Sequence, residues 1–253
     1  MGIFDFLRKK SSPPNPQGDK RIQSLGRMAA DKRAQNYDRI EAIQELATLA
    51  TPEAAEALLK RFSFSIDPSI TDQEEKDIAF RGVAAGGVTV VPAIRAFCLR
   101  AEALTWPLKL LRELLDDEAY RDELVSLLEV MDTEYVRNVE PKIHIIQALE
   151  TVIDERVRIA VEPFLDDVNE TVRFHAVEAV FLQGSAASVE PLVKLLINEE
   201  SVRVKNKVAE GLAARAWTVP ADLREAAGRS LHDTDDYAIG PTGDVRRLSS
   251  ALA

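Results

Sequence analysis

The chain has 253 residues, of which 46% are hydrophobic, 29% charged and 6% aromatic, with a formal net charge of -10. Few aromatics and only 11 glycines are typical of helices rather than of sheets with tight turns. Apolar runs such as "GVAAGGVTVV" are too short for a membrane helix, no secretory signal is recognised, and the single cysteine, Cys98, excludes an intramolecular disulfide, so we expect a cytoplasmic protein.

The first ten residues, "MGIFDFLRKK", place an apolar cluster directly before a basic end. Such a segment is typical of a docking peptide or of a weak contact with a membrane surface, although the apolar residues are also compatible with an incidental chain start. The partner-binding residues predicted here are Ile3, Phe4, Phe6, Leu7, Lys9 and Lys10.

Charge is divided unevenly along the chain. Residues 1–35 hold eight Lys or Arg against three Asp, so the remainder carries a net charge of -15. An acidic body argues against nucleic-acid binding, which depends on neutralising phosphates, and favours a partner protein with a basic patch. The segment "SSPPNPQGDK" has three prolines and no apolar residue, which predicts an arm and linker over residues 1–21.

From residue 22 to 231 the pattern predicts one helix after another, and one stripe recurs: a basic residue, an apolar residue three later, and Leu or Val four after that. These offsets share one helical face, so the apolar pair should face a neighbouring helix. The copies are Arg39/Ala42/Leu46, Arg81/Ala84/Val88, Lys142/Ile145/Leu149, Arg173/Ala176/Val180 and Lys205/Val208/Leu212, with a degenerate copy at Leu104/Pro107/Leu111.

A second helix is expected after each copy, opened by a proline in its first turn, where no hydrogen bond is lost. The predicted starts are "TPEAAEALL" at 51, "VVPAI" at 90, "VEPFL" at 161, "VEPLV" at 189 and "TVPADL" at 218. Between helix pairs, Asp, Asn or Ser residues such as those in "DDVNETVR" are suited to cap the following helix. Residues 232–253 are predicted to be an extended tail.

The alternation of "DDVNETVRFHAVEAVF" with "SAASVEPLVKLL" resembles HEAT repeats, particularly the short bacterial type also found in phycobilin lyases. The resemblance is close over residues 132–216, with a spacing of 31 to 32 residues, and looser before them. It implies an all-α, right-handed α-solenoid of about six stacked antiparallel helix pairs, whose concave surface of second helices usually holds another protein.

No catalytic residue, metal site or cofactor is predicted. His144 and His175 occupy the same repeat position, two residues after the basic residue, and would supply at most two ligands where zinc needs three or four. Cys98 is interpreted as a core thiol.

These observations favour a non-catalytic scaffold or adaptor that binds another protein. On the solenoid, we expect the second-helix cations Arg95, Arg158 and Lys194 to contribute to binding. The alternative is a phycobilin-lyase-like enzyme or pigment chaperone, which the resemblance alone suggests.

Overall fold

The computed structural model describes residues 16–232, 234 and 236–248, which are all-α apart from one hairpin. The chain divides into two compact units between Phe97 and Cys98. The helices of the first unit are α1 (Pro16–Ala29), α2 (Asn36–Leu49), α3 (Pro52–Leu59), α4 (Ser69–Ala84) and α5 (Val91–Cys98), which ends at the division. The second unit contains α6 (Thr105–Leu114), α7 (Asp117–Glu129), α8 (Glu140–Leu149), α9 (Glu155–Val161), α10 (Glu170–Gln183), α11 (Val189–Asn198), α12 (Val202–Ala214), α13 (Arg224–His232), β1 (Tyr237–Ile239) and β2 (Val245–Arg247). Short 3₁₀ turns lie at Lys60–Ser63, Gly87–Val90, Glu162–Asp166 and Ala186–Ser188.

In both units, helices contact near neighbours in the chain, and a helix often packs on the next but one. In the second unit, α6, α8, α10 and α12 form a first layer, while α7, α9 with its following 3₁₀ turn, α11 and α13 form a second layer. In the first unit, α2 packs on α4 and α1 packs on α3. Contacts restricted to near neighbours in the chain characterise an α-solenoid. The expected all-α fold of about six helix pairs is confirmed: the described residues form six pairs, with α1 preceding the first.

Four of the predicted stripes form buried helix faces, one in the first unit and three in the first layer of the second unit. Their apolar members are at most 3% exposed in α2, α8, α10 and α12: Ala42, Leu46, Ile145, Leu149, Ala176, Val180, Val208 and Leu212. Burying one such Leu, Ile or Val side chain contributes about 1.5–3 kcal/mol, so each stripe joins its helix to the adjacent ones.

The second copy of the stripe, Arg81/Ala84/Val88, is wrong in register. Arg81 is exposed and Val88 is 65% exposed, because α4 ends at Ala84 and Val88 lies in the following 3₁₀ turn. The helix instead buries Lys76, Ala79 and Val83, which have the same spacing and start five residues earlier.

The recurring basic residue holds the second unit together. Lys142 Nζ donates to Asp167 Oδ2 at 2.8 Å and to the Glu134 carbonyl at 3.2 Å. Arg173 donates to both carboxylate oxygens of Glu199, at 2.7 and 2.8 Å, and to the Asp167 carbonyl at 2.8 Å. Each cation therefore ties the loop before its own helix to the acidic residue that precedes the next first-layer helix.

In the first unit, the buried charges meet in one network. Glu75, which is 0% exposed, accepts hydrogen bonds from Arg39 at 2.8 and 2.9 Å and from Arg61 at 2.7 Å. Asp72 accepts from Arg61 and from Lys76, both at 2.7 Å. Burial alone raises the pKa of the Asp72 carboxyl, but the hydrogen bonds from Lys76 and Arg61 outweigh it, and the pKa is lowered.

Three of the five proline-marked helix starts are correct, since Pro52, Pro92 and Pro191 lie in the first turns of α3, α5 and α11. Pro163 instead follows α9, which begins at Glu155, and lies in a 3₁₀ turn. Pro220 precedes α13, which begins only at Arg224. A proline is tolerated in any position that needs no helical N–H, and a helix start is one of several such positions.

The ends of the described chain differ from the predicted boundaries. Helix α1 begins at Pro16, inside the segment expected to be linker. The predicted extended tail contains the antiparallel hairpin β1–β2, in which Tyr237 pairs with Arg247 and Ile239 with Val245, and it packs on α12 and α13. Gly243 lies in the hairpin turn at φ +89°, where residues with a Cβ are strained.

Among the described residues, no single helix is long and apolar enough to cross a membrane. Two consecutive helical segments, Ser69–Ala84 and Gly87–Cys98, are together long and apolar enough to span a membrane, but a bend of 108° separates them.

Candidate functional site

The residues predicted to form a docking or membrane-contact segment lie outside the described part of the chain. This holds for Ile3, Phe4, Phe6, Leu7, Lys9 and Lys10. Their role stays a prediction.

The cations predicted to bind a partner from the second helices differ in their exposure and in their acidic neighbours. Arg158 is 11% exposed and pairs along its own helix with Glu155 at 2.5 Å and with Glu162. Lys194 is 60% exposed and pairs with Glu190, four residues earlier, at 2.7 Å. Arg95 is half-buried and belongs to the other unit. The structure therefore places Arg158 and Lys194 in the same layer of the second unit, where acidic neighbours neutralise both.

A more exposed apolar surface follows the loops before α8, α10 and α12. The first two loops are joined by a hydrogen bond from the Val168 N–H to the Thr133 carbonyl, at 3.0 Å. The third loop is joined to the start of α10, directly after the second loop, where Ser201 Oγ donates to Glu170 Oε1, also at 3.0 Å. Each loop, or the first residue of the helix after it, presents an exposed apolar side chain: Tyr135 (81% exposed), Val168 (55%) and Val202 (48%). Val130 (61% exposed) lies at the start of the first loop.

Acidic residues flank these apolar side chains. The exposed acids on the three loops are Asp132, Glu134, Asp166 and Glu200, and the exposed cations are Arg137 and Arg203. Arg203 is partly engaged, because its guanidinium lies 3.7 Å from the Phe174 ring centroid. We call the surface formed by Tyr135, Val168, Val202 and the four exposed acids the loop edge. Its charge is negative, as the overall composition predicts.

A second feature is an open pocket of about 340 Å³ between α8, α10 and α12, which we call the first-layer pocket. Phe181, Gly211 and Ala214 contribute apolar lining, and a Cβ on Gly211 would lie 2.2 Å from the Phe181 ring. The close approach of α10 and α12 at this point therefore requires glycine. Its charged lining residues are Glu150, Glu178, Lys207, Glu210 and Arg215.

At one end of this pocket, Glu150, His175 and Glu178 form a cluster whose potential ligand atoms all lie within 4.8 Å of one another. His175 Nδ1 lies 3.4 Å from Glu178 Oε2, and Lys207 Nζ lies 2.9 Å from Glu178 Oε1. Burial raises the pKa of the Glu150 carboxyl, and the negative charge of Glu178 raises it further, against the opposite effect of Lys207. Two of the cluster's buried atoms, Glu150 Oε1 and His175 Nδ1, have no hydrogen-bond partner in the described part of the protein.

The two histidines at the equivalent repeat position have different surroundings. His144 accepts a hydrogen bond on Nδ1 from the Leu104 N–H at 3.1 Å, which gives it a structural role. His175 lies beside two carboxylates instead, so the sequence-based ligand count, which considered histidines alone, is incomplete. A signal was present in the sequence, since Glu178 lies one helical turn after His175 and therefore on the same face.

No protein-family model and no curated protein matches the chain. A solved structure described as "Computational Design of Self-Assembling Cyclic Protein Homooligomers" is 17% identical, with 90% of this chain and 74% of that chain covered. The TM-score is 0.15, so this likeness carries no argument about fold or assembly. The helical-repeat arrangement follows from the helix packing of the protein itself.

Proposed function

We propose that the protein is a HEAT-type helical-repeat scaffold and that its loop edge binds a partner protein through a segment of basic and apolar side chains. The observation that carries this proposal is that an exposed apolar side chain lies on or directly after each of three adjoining loops. The HEAT assignment is supported by the packing of short helix pairs in two layers and by the sequence resemblance of residues 132–216.

The apolar side chains are suited to anchor a partner. An exposed Tyr with two exposed Val residues presents apolar surface that is unfavourable in water and is covered when a partner binds. Adjacent packed helices lie about 8–10 Å apart, so the anchors recur at an interval that one continuous partner segment can follow. Binding energy concentrates in a few such residues, and aromatic residues are prominent among them.

The charges of the loop edge define the partner's chemistry. Four exposed acids face two cations, one of which is partly engaged with Phe174. A partner with Lys or Arg beside its apolar residues would be attracted, and that attraction weakens as salt screens exposed charges. The second layer offers fewer unpaired charges to a partner, because Arg158 and Lys194 already have acidic partners.

The test uses a triple variant of the loop edge, Tyr135→Ser, Val168→Ser and Val202→Ser. Its matched control replaces three apolar residues of similar exposure away from these loops, Ile153→Ser, Ile159→Ser and Leu182→Ser. A protein captured by the wild type from the source cells should bind the control normally and the loop-edge variant at least about tenfold more weakly. Equal binding to both variants, or equal loss in both, would contradict the proposal.

Two further arms locate the contact. A photo-cross-linking amino acid at position 135 should capture the partner, whereas the same group at position 153 should not. Removing residues 1–15 tests whether the predicted N-terminal segment adds a second contact. A partner that is lost with that segment and is indifferent to the loop-edge variant would move the binding function to the arm.

A further inference from the structure

The cluster at the end of the first-layer pocket combines donors that come from two helix pairs. Glu150 follows the last residue of α8, and His175 and Glu178 lie one turn apart in α10. One imidazole nitrogen with two carboxylates is a donor set used by zinc and related metals, and the nitrogen disfavours calcium and magnesium. We propose that Glu150, His175 and Glu178 bind one divalent transition-metal ion, with Zn²⁺ as the probe of choice.

The spacing of the donors suits such an ion. Two ligand atoms about 2.1 Å from a tetrahedral metal lie about 3.4 Å apart. His175 Nδ1 and Glu178 Oε2 are separated by 3.4 Å, which matches this ligand-to-ligand distance. Glu150 completes the set by a small side-chain movement, since its ligand atom lies within 4.8 Å of the other two.

The unsatisfied atoms provide a second argument. Glu150 Oε1 and His175 Nδ1 are buried, and neither has a hydrogen-bond partner among the described residues. Buried polar atoms are nearly always satisfied, so a pair of unsatisfied atoms in one cluster calls for a common explanation. A metal ion coordinated by both side chains satisfies them together, and the adjoining pocket of about 340 Å³ leaves room for water ligands.

Lys207 lowers the affinity of the site for a metal ion. Its ammonium lies 2.9 Å from Glu178 Oε1 and leaves Oε2 directed toward His175. Two carboxylates with one ammonium leave the cluster one negative charge, which attracts a cation but less strongly than the bare carboxylates would. Lys207 is therefore a competitor of the metal, and its removal should increase metal affinity.

The experiment is a calorimetric titration of the full-length protein with ZnCl₂ at neutral pH. We expect one ion per chain and an affinity that falls more than about tenfold in Glu150→Gln and in His175→Gln, because loss of even an outer-sphere partner has an effect of that size. Glu190→Gln, an exposed carboxylate paired with Lys194, is the matched control and should bind zinc normally. Lys207→Met should bind zinc more tightly than the wild type.

Several outcomes would overturn the site. These are the absence of zinc binding, binding that survives in the Glu150→Gln/His175→Gln double variant, and affinity unchanged in Lys207→Met. Should the ligand variants fail to fold, as circular dichroism would show, the wild type still decides the matter through Co²⁺, whose visible d–d absorption must appear on binding. The loop-edge variant keeps all three ligands, so it should bind zinc unchanged whether or not it binds a partner.

Discussion

The two units of this protein use buried charge in different ways. In the first unit, Arg39 and Arg61 converge on the single carboxylate of Glu75. In the second unit, Lys142 pairs with Asp167, and Arg173 pairs with a different carboxylate, that of Glu199. A shared carboxylate concentrates the stability of a unit in one residue, whereas separate pairs distribute it along the helices.

The largest loss of folding stability is expected from Glu75→Gln. The substitution leaves Arg39 and Arg61, which are 1% and 0% exposed, without their common counter-charge. Removing one partner from a buried ion pair costs about 3–5 kcal/mol, and two cations are affected here. Urea unfolding of the full chain should show this loss, and the exposed neighbour variant Glu74→Gln should stay within about 0.5 kcal/mol of the wild type. Similar midpoints for the two variants would refute the shared-carboxylate description.

A smaller loss is expected from Asp167→Asn in the second unit. One cation, Lys142, loses its counter-charge but keeps the Glu134 carbonyl, and an amide at position 167 still accepts from the Asn169 N–H. We expect the free energy of unfolding, measured by urea unfolding, to fall by about 2–3 kcal/mol. Asp166→Asn, at the exposed adjacent position, is the control. A cost equal to that of Glu75→Gln would remove the contrast between the units.

The Arg173–Glu199 pair makes the folding stability of the second unit depend on pH. Burial raises the pKa of Glu199, but hydrogen bonds from Arg173 and from the backbone N–H groups of Ser201 and Glu200 outweigh it, so the pKa lies below its ordinary value of 4.5. A lowered carboxyl pKa contributes stability that is present above pH 4.5 and disappears as the pH falls through the lowered value.

We therefore expect Glu199→Gln to cost about 1–2 kcal/mol at pH 7, because Arg173 keeps its carbonyl partners. The difference from the wild type should shrink toward zero as the pH falls below 4.5. Unfolding midpoints measured between pH 7 and pH 3 check both parts. A difference that grows in acid would reverse the predicted sign.

The smallest effects concern helix capping. Asn169 Oδ1 accepts from the N–H groups of Thr171 and Val172, at 2.9 and 3.3 Å, and so caps α10. Asn169→Ala should lower the free energy of unfolding by about 1 kcal/mol, as measured by differential scanning calorimetry. Thr51→Ala, at the start of α3, should cost less, because Thr51 Oγ1 accepts only one bond, of 3.3 Å, from the Ala54 N–H. The reverse order would contradict the capping geometry.

The contrast between the units also explains which features were predictable from the sequence. In the second unit, a cation recurs with its apolar pair at near-constant spacing, so Leu149 and Val180 could be identified as core residues. In the first unit, two cations five residues apart compete for the stripe position. Lys76 rather than Arg81 occupies the buried stripe position because Lys76 pairs with Asp72 in the buried network. A rule based on residue spacing alone does not take this pairing into account.

The candidate sites depend on contacts between repeats. The sequence assigns His175 a position in the repeat but does not reveal its distance to Glu150, which lies 25 residues earlier. Likewise, Tyr135 and Val168 are ordinary loop residues until a hydrogen bond joins their loops. Three-dimensional proximity across repeats is what residue types and spacing within one helix do not determine.

The charged pairs between repeats also bear on the entropy of binding. Val168 directly follows Asp167, and Glu200 directly follows Glu199, so two residues of the loop edge adjoin buried carboxylates that are fixed by ion pairs. Loops held in this way lose little conformational freedom when a partner arrives. The ion pairs that stabilise the helices would then also lower the entropic cost of recognition, and partner binding should in turn slow hydrogen exchange at these loops.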